Sequence, residues 1–297
     1  MSKLQTILVT GSSGQLGQSI QSIATDYLDY DFVFVNRQQL DLSYETTITD
    51  FFEHQNFDII INCAAHTAVD KAETEPELAN QINHLAVQKL ANIAKQQNTK
   101  LIHISTDYVF NGKQYRPYLE TDSIEPQSVY GQTKVSGEQA IQNTLKNNAV
   151  IIRASWVYSE YGNNFVKTML KLGQERDSLN VIFDQVGTPT YAKDLAKAIM
   201  SIVQSQEFLQ ADFTTNIVHF SNEGVCSWYD FAKTIFALTN IQCQVSPIET
   251  KDYPTLAKRP HYSVLNKVKI KQTYNLTIPY WKDSLEQCLR PSQDKAP

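Results

Sequence analysis

The chain has 297 residues, 42% of them hydrophobic and 19% charged, with a formal net charge of -5, enough for one large globular core or a core with a smaller lobe. The mildly acidic balance gives no basic footprint for nucleic acid or for an anionic membrane surface. No apolar run approaches the roughly 18–20 residues of a membrane span, and a glycine loop follows the first apolar run before a signal-peptide core could form.

Thr6 to Thr10 is a short apolar, β-rich run that stops at Gly11-Ser12-Ser13-Gly14-Gln15-Leu16-Gly17, where three of the ten glycines fall at three-residue spacing. Leu16, Ile20 and Ile23 then recur with helical period. Strand, glycine turn and helix form the context of a dinucleotide loop: glycine lets the backbone approach a pyrophosphate, whose charge meets the helix N-terminus. A second strand, Asp31 to Val35, ends at Asn36-Arg37. An acidic residue there would hold a ribose 2′-hydroxyl. This chain has none, and Arg37 suits a 2′-phosphate, which favours NADPH and leaves NADH open.

Asp41-Leu42 precedes a helix with Ile48, Phe51 and Phe52 on one face. Phe57 to Asn62 is a third strand, running into the small residues Ala64 and Ala65 before His66 and Thr67. Ligands of open α/β sheets lie outside such strand ends. His66 reads as a packing residue. A long helix is expected over Pro76 to Gln97, with Ala79, Ile82, Ala86, Leu90 and Ile93 as its stripe, and Lys100 to Ser105 is a fourth strand. At that strand's end Thr106 could hydrogen-bond a substrate oxygen or cap a turn. Residues 111–128 form a polar, proline-bearing loop, long enough to be functional.

The loop delivers the chain to Tyr130-Gly131-Gln132-Thr133-Lys134. Four residues apart on a helix, Tyr130 and Lys134 share a face with Cβ atoms roughly 5–6 Å apart. An ammonium beside a phenol favours the phenolate, so the tyrosine pKa is expected to fall and Tyr130 to serve as a general acid. Ala149 to Arg153 is a fifth strand, and the alternation specifies an α/β, doubly wound parallel sheet, Rossmann-like. Residues 1–155 are read as the dinucleotide-binding domain. Residues 156–297 are read mainly as a smaller C-terminal substrate-binding lobe interleaved with it.

In that second half, Phe165 opens an amphipathic helix, Val181 to Phe183 precedes Asp184-Gln185-Val186-Gly187-Thr188-Pro189-Thr190, and a helix carries Ala192, Leu195, Ala196, Ile199 and Val203. Ile217 to Phe220 is a strand candidate and Trp228 to Leu238 another helix. The segment Tyr253 to Asn266 mixes Pro, Lys, Arg and His, with Arg259 as the candidate for pairing with an anion or with solvent. Cys63, Cys226, Cys243 and Cys288 are scattered, without metal-ligand spacing. They read as thiols of a reducing cytoplasm.

Taken together, the glycine loop, Asn62 to Glu73, Ser105 to Phe110, Tyr130 to Glu138, Arg153 to Tyr158, Asn163 to Phe165, Asp184 to Thr190 and Arg259 to Asn266 resemble the extended short-chain dehydrogenase/reductase family over nearly the whole chain. Within it the match is to the branch that reduces the C4 ketone of a dTDP-linked 4-keto-6-deoxy sugar. The resemblance implies Tyr130 as proton donor, Lys134 as its partner and ribose anchor, and Thr106 as the hydroxyl orienting the carbonyl. It assigns Gly11, Ser12, Gly14, Gln15, Leu16 and Gly17 to the pyrophosphate loop, Asp41 and Leu42 to the adenine side, and Ala64, Ala65 and Thr67 to the ribose and nicotinamide side. Asn36 and Arg37 stay open between cofactors. Asp107 and Trp156 match positions near the sugar nucleotide, beside which Arg259 stands as the substrate-side anion-pairing candidate of its loop. Magnesium-linked homodimers occur in the family, but no carboxylate motif here supplies metal ligands. Two other readings of these motifs stand beside the reductase: a sugar-nucleotide epimerase or dehydratase, and a silent regulatory subunit like the β subunit of methionine adenosyltransferase.

Overall fold

The computed structural model describes residues 4–290; the outermost residues of the two expected domains, 1–3 and 291–297, lie outside it. Six parallel strands form the central sheet: β1 (Gln5–Thr10), β2 (Tyr30–Val35), β3 (Ile59–Asn62), β4 (Lys100–Thr106), β5 (Ala149–Ala154) and β6 (Asn216–Phe220), in the order β6-β5-β4-β3-β1-β2. The strands of β3 and β5 are buried along their whole length, as continuous apolar runs are when helices cover both faces of a parallel sheet.

On one face, Ile7, Val9, Ile59, Ile61, Ile102 and Val150 pack against Leu16 and Ile20 of the helix Gln15–Gln21 and against the apolar stripe of the helix Ala192–Val203. On the other, Leu8, Ile60, Leu101 and Ile151 meet the helices Glu45–Glu53, Ala86–Gln97 and Val129–Thr144. The strand order reverses between β1 and β3, so the crevice at their C-terminal ends is the topological switch point where such sheets bind ligands.

The expected helix over Pro76 to Gln97 is present with an internal irregularity: a π-helical turn, Gln81–Leu85, separates Pro76–Asn80 from Ala86–Gln97. Such turns insert one residue into the hydrogen-bond ladder and re-aim a side chain. Here that side chain is Asn83, which enters the site below. The strand candidate at Ile217 joins the main sheet as β6, pairing with β5. Ser178–Ile182 pairs in parallel with Gln244–Ile248, a two-stranded edge that accommodates Pro247. A third core gathers Tyr158, Val166, Met169, Phe231, Ile235, Trp281 and Leu285 from the second half of the chain. Yet the helices Ala192–Val203 and Val268–Tyr274 return to the first.

Candidate active site

Tyr130 lies in the first turn of the helix Val129–Thr144. Ser128 caps that helix, accepting from the Gly131 N–H at 3.2 Å, and Glu73 takes the Val129 N–H at 2.9 Å. A Cβ on Gly131 would stand 2.4 Å from the Tyr108 carbonyl oxygen; glycine is needed there because the helix start is pressed against the turn Asp107–Val109 that follows β4. This approach sets the Tyr130 ring edge-on to Tyr108, with centroids 5.6 Å apart. Asn83 braces the same corner, bonding the His66 N–H at 2.9 Å, the His66 carbonyl at 3.0 Å and the Thr133 hydroxyl at 3.2 Å.

The expected fall in the Tyr130 pKa is corrected. Burial pushes the phenol up to about 12, with the Thr106 hydroxyl pulling it back and the Asp107 charge adding to the rise. Lys134 does not act as the phenol's counter-charge in this arrangement. Its Nζ donates to the Ile104 carbonyl at 2.6 Å and faces His103 Nε2 at 3.3 Å. Burial lowers the ammonium to about 8, against the opposing pull of Glu138. Sharing a helix face was legible; how far desolvation outweighs the Tyr–Lys attraction was not.

Thr106 ends β4 with its hydroxyl donating to Asp107 Oδ1 at 3.1 Å and accepting the Tyr108 N–H at 3.2 Å. Asp107 is 2% exposed and its Oδ2 has no hydrogen-bond partner. Burial raises this carboxyl to about 6, opposed by the Ser263 and Thr106 hydroxyls beside it. Arg259 closes the same region: its guanidinium forms a bidentate pair with Asp70 at 2.6 and 3.1 Å and holds that carboxyl below its usual range. The anion it meets is therefore the protein's own, and Asp70, which also takes the Ala257 N–H at 3.0 Å, had not been singled out in the sequence. Trp156, in a left-handed backbone conformation at φ 49°, stacks on Trp228 with centroids 3.5 Å apart. A Cβ on Gly187 would fall 2.7 Å from both the Trp156 ring and Ser263 Oγ, so Trp156 approaches the Asp107 corner through Gly187 and Ser263.

The glycine loop sits at the switch point. Gly11 has φ 64°, and a Cβ there would meet Ala64 at 2.8 Å, which brings the loop and the Ala64-Ala65 segment together. Ser12 N–H bonds the Val35 carbonyl at 3.0 Å, tying the loop to the end of β2. Leu16 and Gly17 are buried in the helix that follows; that helix carries no side-chain cap and no acidic residue in its first turn. Around Gly14 an added Cβ would meet only Gly11 O, at 3.2 Å. This open, uncapped backbone fits a pyrophosphate. The Gln15 side chain turns away from the loop: it accepts from Asn164 at 2.9 Å and Ser159 at 3.1 Å and donates to Val157 O at 3.3 Å, clamping the second half of the chain to the first.

At the end of β2, Asn36 Oδ1 takes the N–H groups of Gln38 and Gln39. Arg37, 69% exposed on its side chain, pairs with Asp41 at 3.1 Å. Leu42 is buried, Ala64 and Ala65 are half-buried, and Thr67 is exposed. His66 faces Glu75 at 3.6 Å with its Nδ1 buried and unpartnered. Among the described residues no group of three or more His, Cys, Asp and Glu side chains is placed to hold a metal, and no helix is long and apolar enough to cross a membrane.

The site compares directly with known proteins. The family model for the RmlD substrate binding domain matches residues 5–293. A dTDP-4-dehydrorhamnose reductase of Aggregatibacter actinomycetemcomitans is 40% identical over 287 residues, covering 94% of this chain and 97% of its own. The crystal structure of a dTDP-4-dehydrorhamnose reductase from Clostridium acetobutylicum matches with a TM-score of 0.89 at 39% identity, covering 96% of this chain and 98% of that one. That of a Bacillus anthracis dTDP-4-dehydrorhamnose reductase in complex with NADP matches at 0.90 and 36% identity, covering 96% and 99%. With a buried Tyr–Thr–Lys cluster at the end of β4, one strand from the switch point, and these likenesses along nearly its whole length, the chain belongs to the RmlD family of dTDP-4-dehydrorhamnose reductases.

Proposed function

We propose that the chain reduces the C4 ketone of dTDP-4-dehydro-L-rhamnose to give dTDP-L-rhamnose, with NADPH as the preferred reductant and NADH as an alternative. The observation that carries this is the placement of Tyr130, buried beside Thr106 and within the same helix as Lys134, where β4 opens onto the crevice bordered by the glycine loop.

A dinucleotide held at its pyrophosphate by Gly11 to Gly17 and along its ribose and nicotinamide by Ala64, Ala65 and Thr67 would supply the hydride for C4. Tyr130 gives its phenolic proton to the carbonyl oxygen as the negative charge develops there, and the product alcohol forms. Thr106 orients that oxygen by hydrogen bonding, its own hydroxyl being held by Asp107 and by the Tyr108 N–H. Lys134 anchors the ribose and returns a proton to the spent phenolate. Asp107, Trp156 and Arg259 border the sugar nucleotide, with residues 156–297 contributing most of that lobe. Burial excludes water and keeps the phenol protonated across the neutral range, so it is always loaded as an acid.

General acid assistance contributes roughly 10²–10⁴ in rate. Tyr130→Phe is therefore expected to cut turnover by about that factor while NADPH binding, followed by nucleotide fluorescence, persists. Wild-type turnover in that variant sinks the assignment. The direct test supplies the 4-keto intermediate and follows absorbance loss with NADPH and NADH separately. The four free cysteines accord with a reducing cytoplasm as the place of action. Assembly as a homodimer is measurable by sedimentation.

A further inference from the structure

A row of polar side chains runs across three neighbouring strands beneath the site. Thr10 on β1, Asn62 on β3 and His103 on β4 are register partners, so their side chains leave the same face of the sheet, the face covered by the Lys134 helix. All are enclosed: Thr10 and Asn62 are 1% exposed, His103 0% and Lys134 1%. Four polar groups with no access to water must satisfy one another, and the directions in which they do so are determined from one end.

The Thr10 hydroxyl donates to Asn62 Oδ1 at 2.6 Å. The Ala64 N–H points at the same oxygen from 3.3 Å. Two donors on one atom orient the amide, so Asn62 Nδ2 faces His103 Nδ1 at 3.0 Å. An amide nitrogen only donates; Nδ1 must accept, and a neutral imidazole then carries its proton on Nε2. That atom lies 3.3 Å from Lys134 Nζ. An ammonium would set N–H against N–H, whereas the amine form accepts the Nε2 proton and still donates to the Ile104 carbonyl at 2.6 Å.

We propose that His103 is a positioning residue for the reductase chemistry, its tautomer fixed by the Thr10–Asn62 pair so that Nε2–H opposes a charged Lys134 and eases the exchange of its proton. The proposal deepens the function read above and rests on it for its catalytic consequence. The groups facing Lys134 are His103 from β4, Tyr130 and Glu138 from its own helix, and, behind Glu138, Arg153 from β5. Glu138 is committed to Arg153 at 2.7 Å, so it only partly offsets the opposed imidazole. His103 itself stays neutral, since burial and the Lys134 charge hold its pKa well below the ordinary value. A lysine brought near neutrality can return a proton to the Tyr130 phenolate at working pH, the condition under which acid–base groups act best.

The test uses the whole chain. Nitrogen-15 spectra of histidine-labelled protein, with His103 assigned by its loss in His103→Gln, report the tautomer directly and need no substrate. Nε2–H in the wild type supports the proposal, and Nδ1–H or an imidazolium overturns it. Thr10→Val is nearly isosteric and removes the donor that orients Asn62. It is expected to let the amide turn, move the His103 proton to Nδ1 and raise the basic limb of the kcat/KM pH profile by about one unit, a tenfold change in proton affinity. An unchanged tautomer and an unmoved limb in a folded Thr10→Val variant overturn the coupling. If the 4-keto sugar nucleotide is not reduced at all, the functional reading fails while the spectra still decide the tautomer.

Discussion

Replacing Arg153 by methionine is expected to destabilise the chain by about 3–5 kcal/mol, the range for breaking a buried ion pair by removing one partner. The guanidinium is 0% exposed and Glu138 1%. Two charge-assisted hydrogen bonds join them, Nη2 to Oε2 at 2.7 Å and Nε to Oε1 at 2.9 Å. The guanidinium also lies 5.2 Å from the Phe110 ring centroid and 3.5 Å from His219 Nε2. Methionine fills much of the arginine stem's volume, but leaves the Glu138 carboxylate with the Ser105 hydroxyl as its one remaining hydrogen-bond partner. The loss comes from that stranded charge, not from a cavity. With a urea dependence of about 3 kcal/mol per molar, the unfolding midpoint should fall by about 1–1.7 M. Adding Glu138→Leu removes the stranded carboxylate and should recover most of the loss, because buried pairs can be exchanged for apolar groups with little net change. A single variant whose midpoint stays within about 0.3 M of wild type, or a double variant no better than the single, refutes the reasoning.

Asp107→Asn should trade function for stability. The carboxyl pKa is raised from 3.8 to about 6 by burial, so the folded chain binds more protons than the unfolded one in that interval. Its favourable contribution is complete below 3.8 and is lost as pH rises through 6, leaving a penalty of about 3 kcal/mol at pH 7 at about 1.36 kcal/mol per pH unit. The amide removes that penalty: the variant should unfold at a higher midpoint at pH 7, with the advantage vanishing toward pH 4, while substrate KM rises. An equal midpoint at pH 7 contradicts the burial argument. Arg37→Ala tests cofactor choice. Arg37 is exposed and held by Asp41 alone, so NADPH KM should rise several-fold with NADH KM nearly unchanged; equal effects on both would remove Arg37 from cofactor selection.

Much of the architecture was readable because each element announces its own chemistry. Runs such as Ile59 to Ile61 and Ala149 to Ile152 are continuous and apolar, and in the structure they lie in the wholly buried strands β3 and β5. The glycine loop was readable because its backbone approach excludes a Cβ, as the 2.8 Å contact at Gly11 makes explicit. The π turn at Gln81–Leu85 was not, since its stripe of Ala79, Ile82, Ala86 and Leu90 is also that of an unbroken helix. Nor was the Asp70–Arg259 pair, whose members are 189 residues apart and carry no local signal of meeting.

Tyr130 and Lys134 show where the boundary falls. Their spacing on one helix, with Tyr130 placed after a functional loop, follows from the sequence alone, because helix geometry depends only on residues four apart. The direction in which the phenol pKa moves does not. It depends on how much water the surrounding turns exclude and on what else the ammonium can bond, and both belong to distant segments brought together by the sheet: Tyr108 and Asp107 after β4, the Ile104 carbonyl, and His103 in its row with Asn62 and Thr10. The sequence determined which acid is present and which face it shares with the lysine. Only the tertiary structure decided that burial outweighs the lysine's charge, because desolvation is a property of the whole enclosure and not of any pair of residues within it.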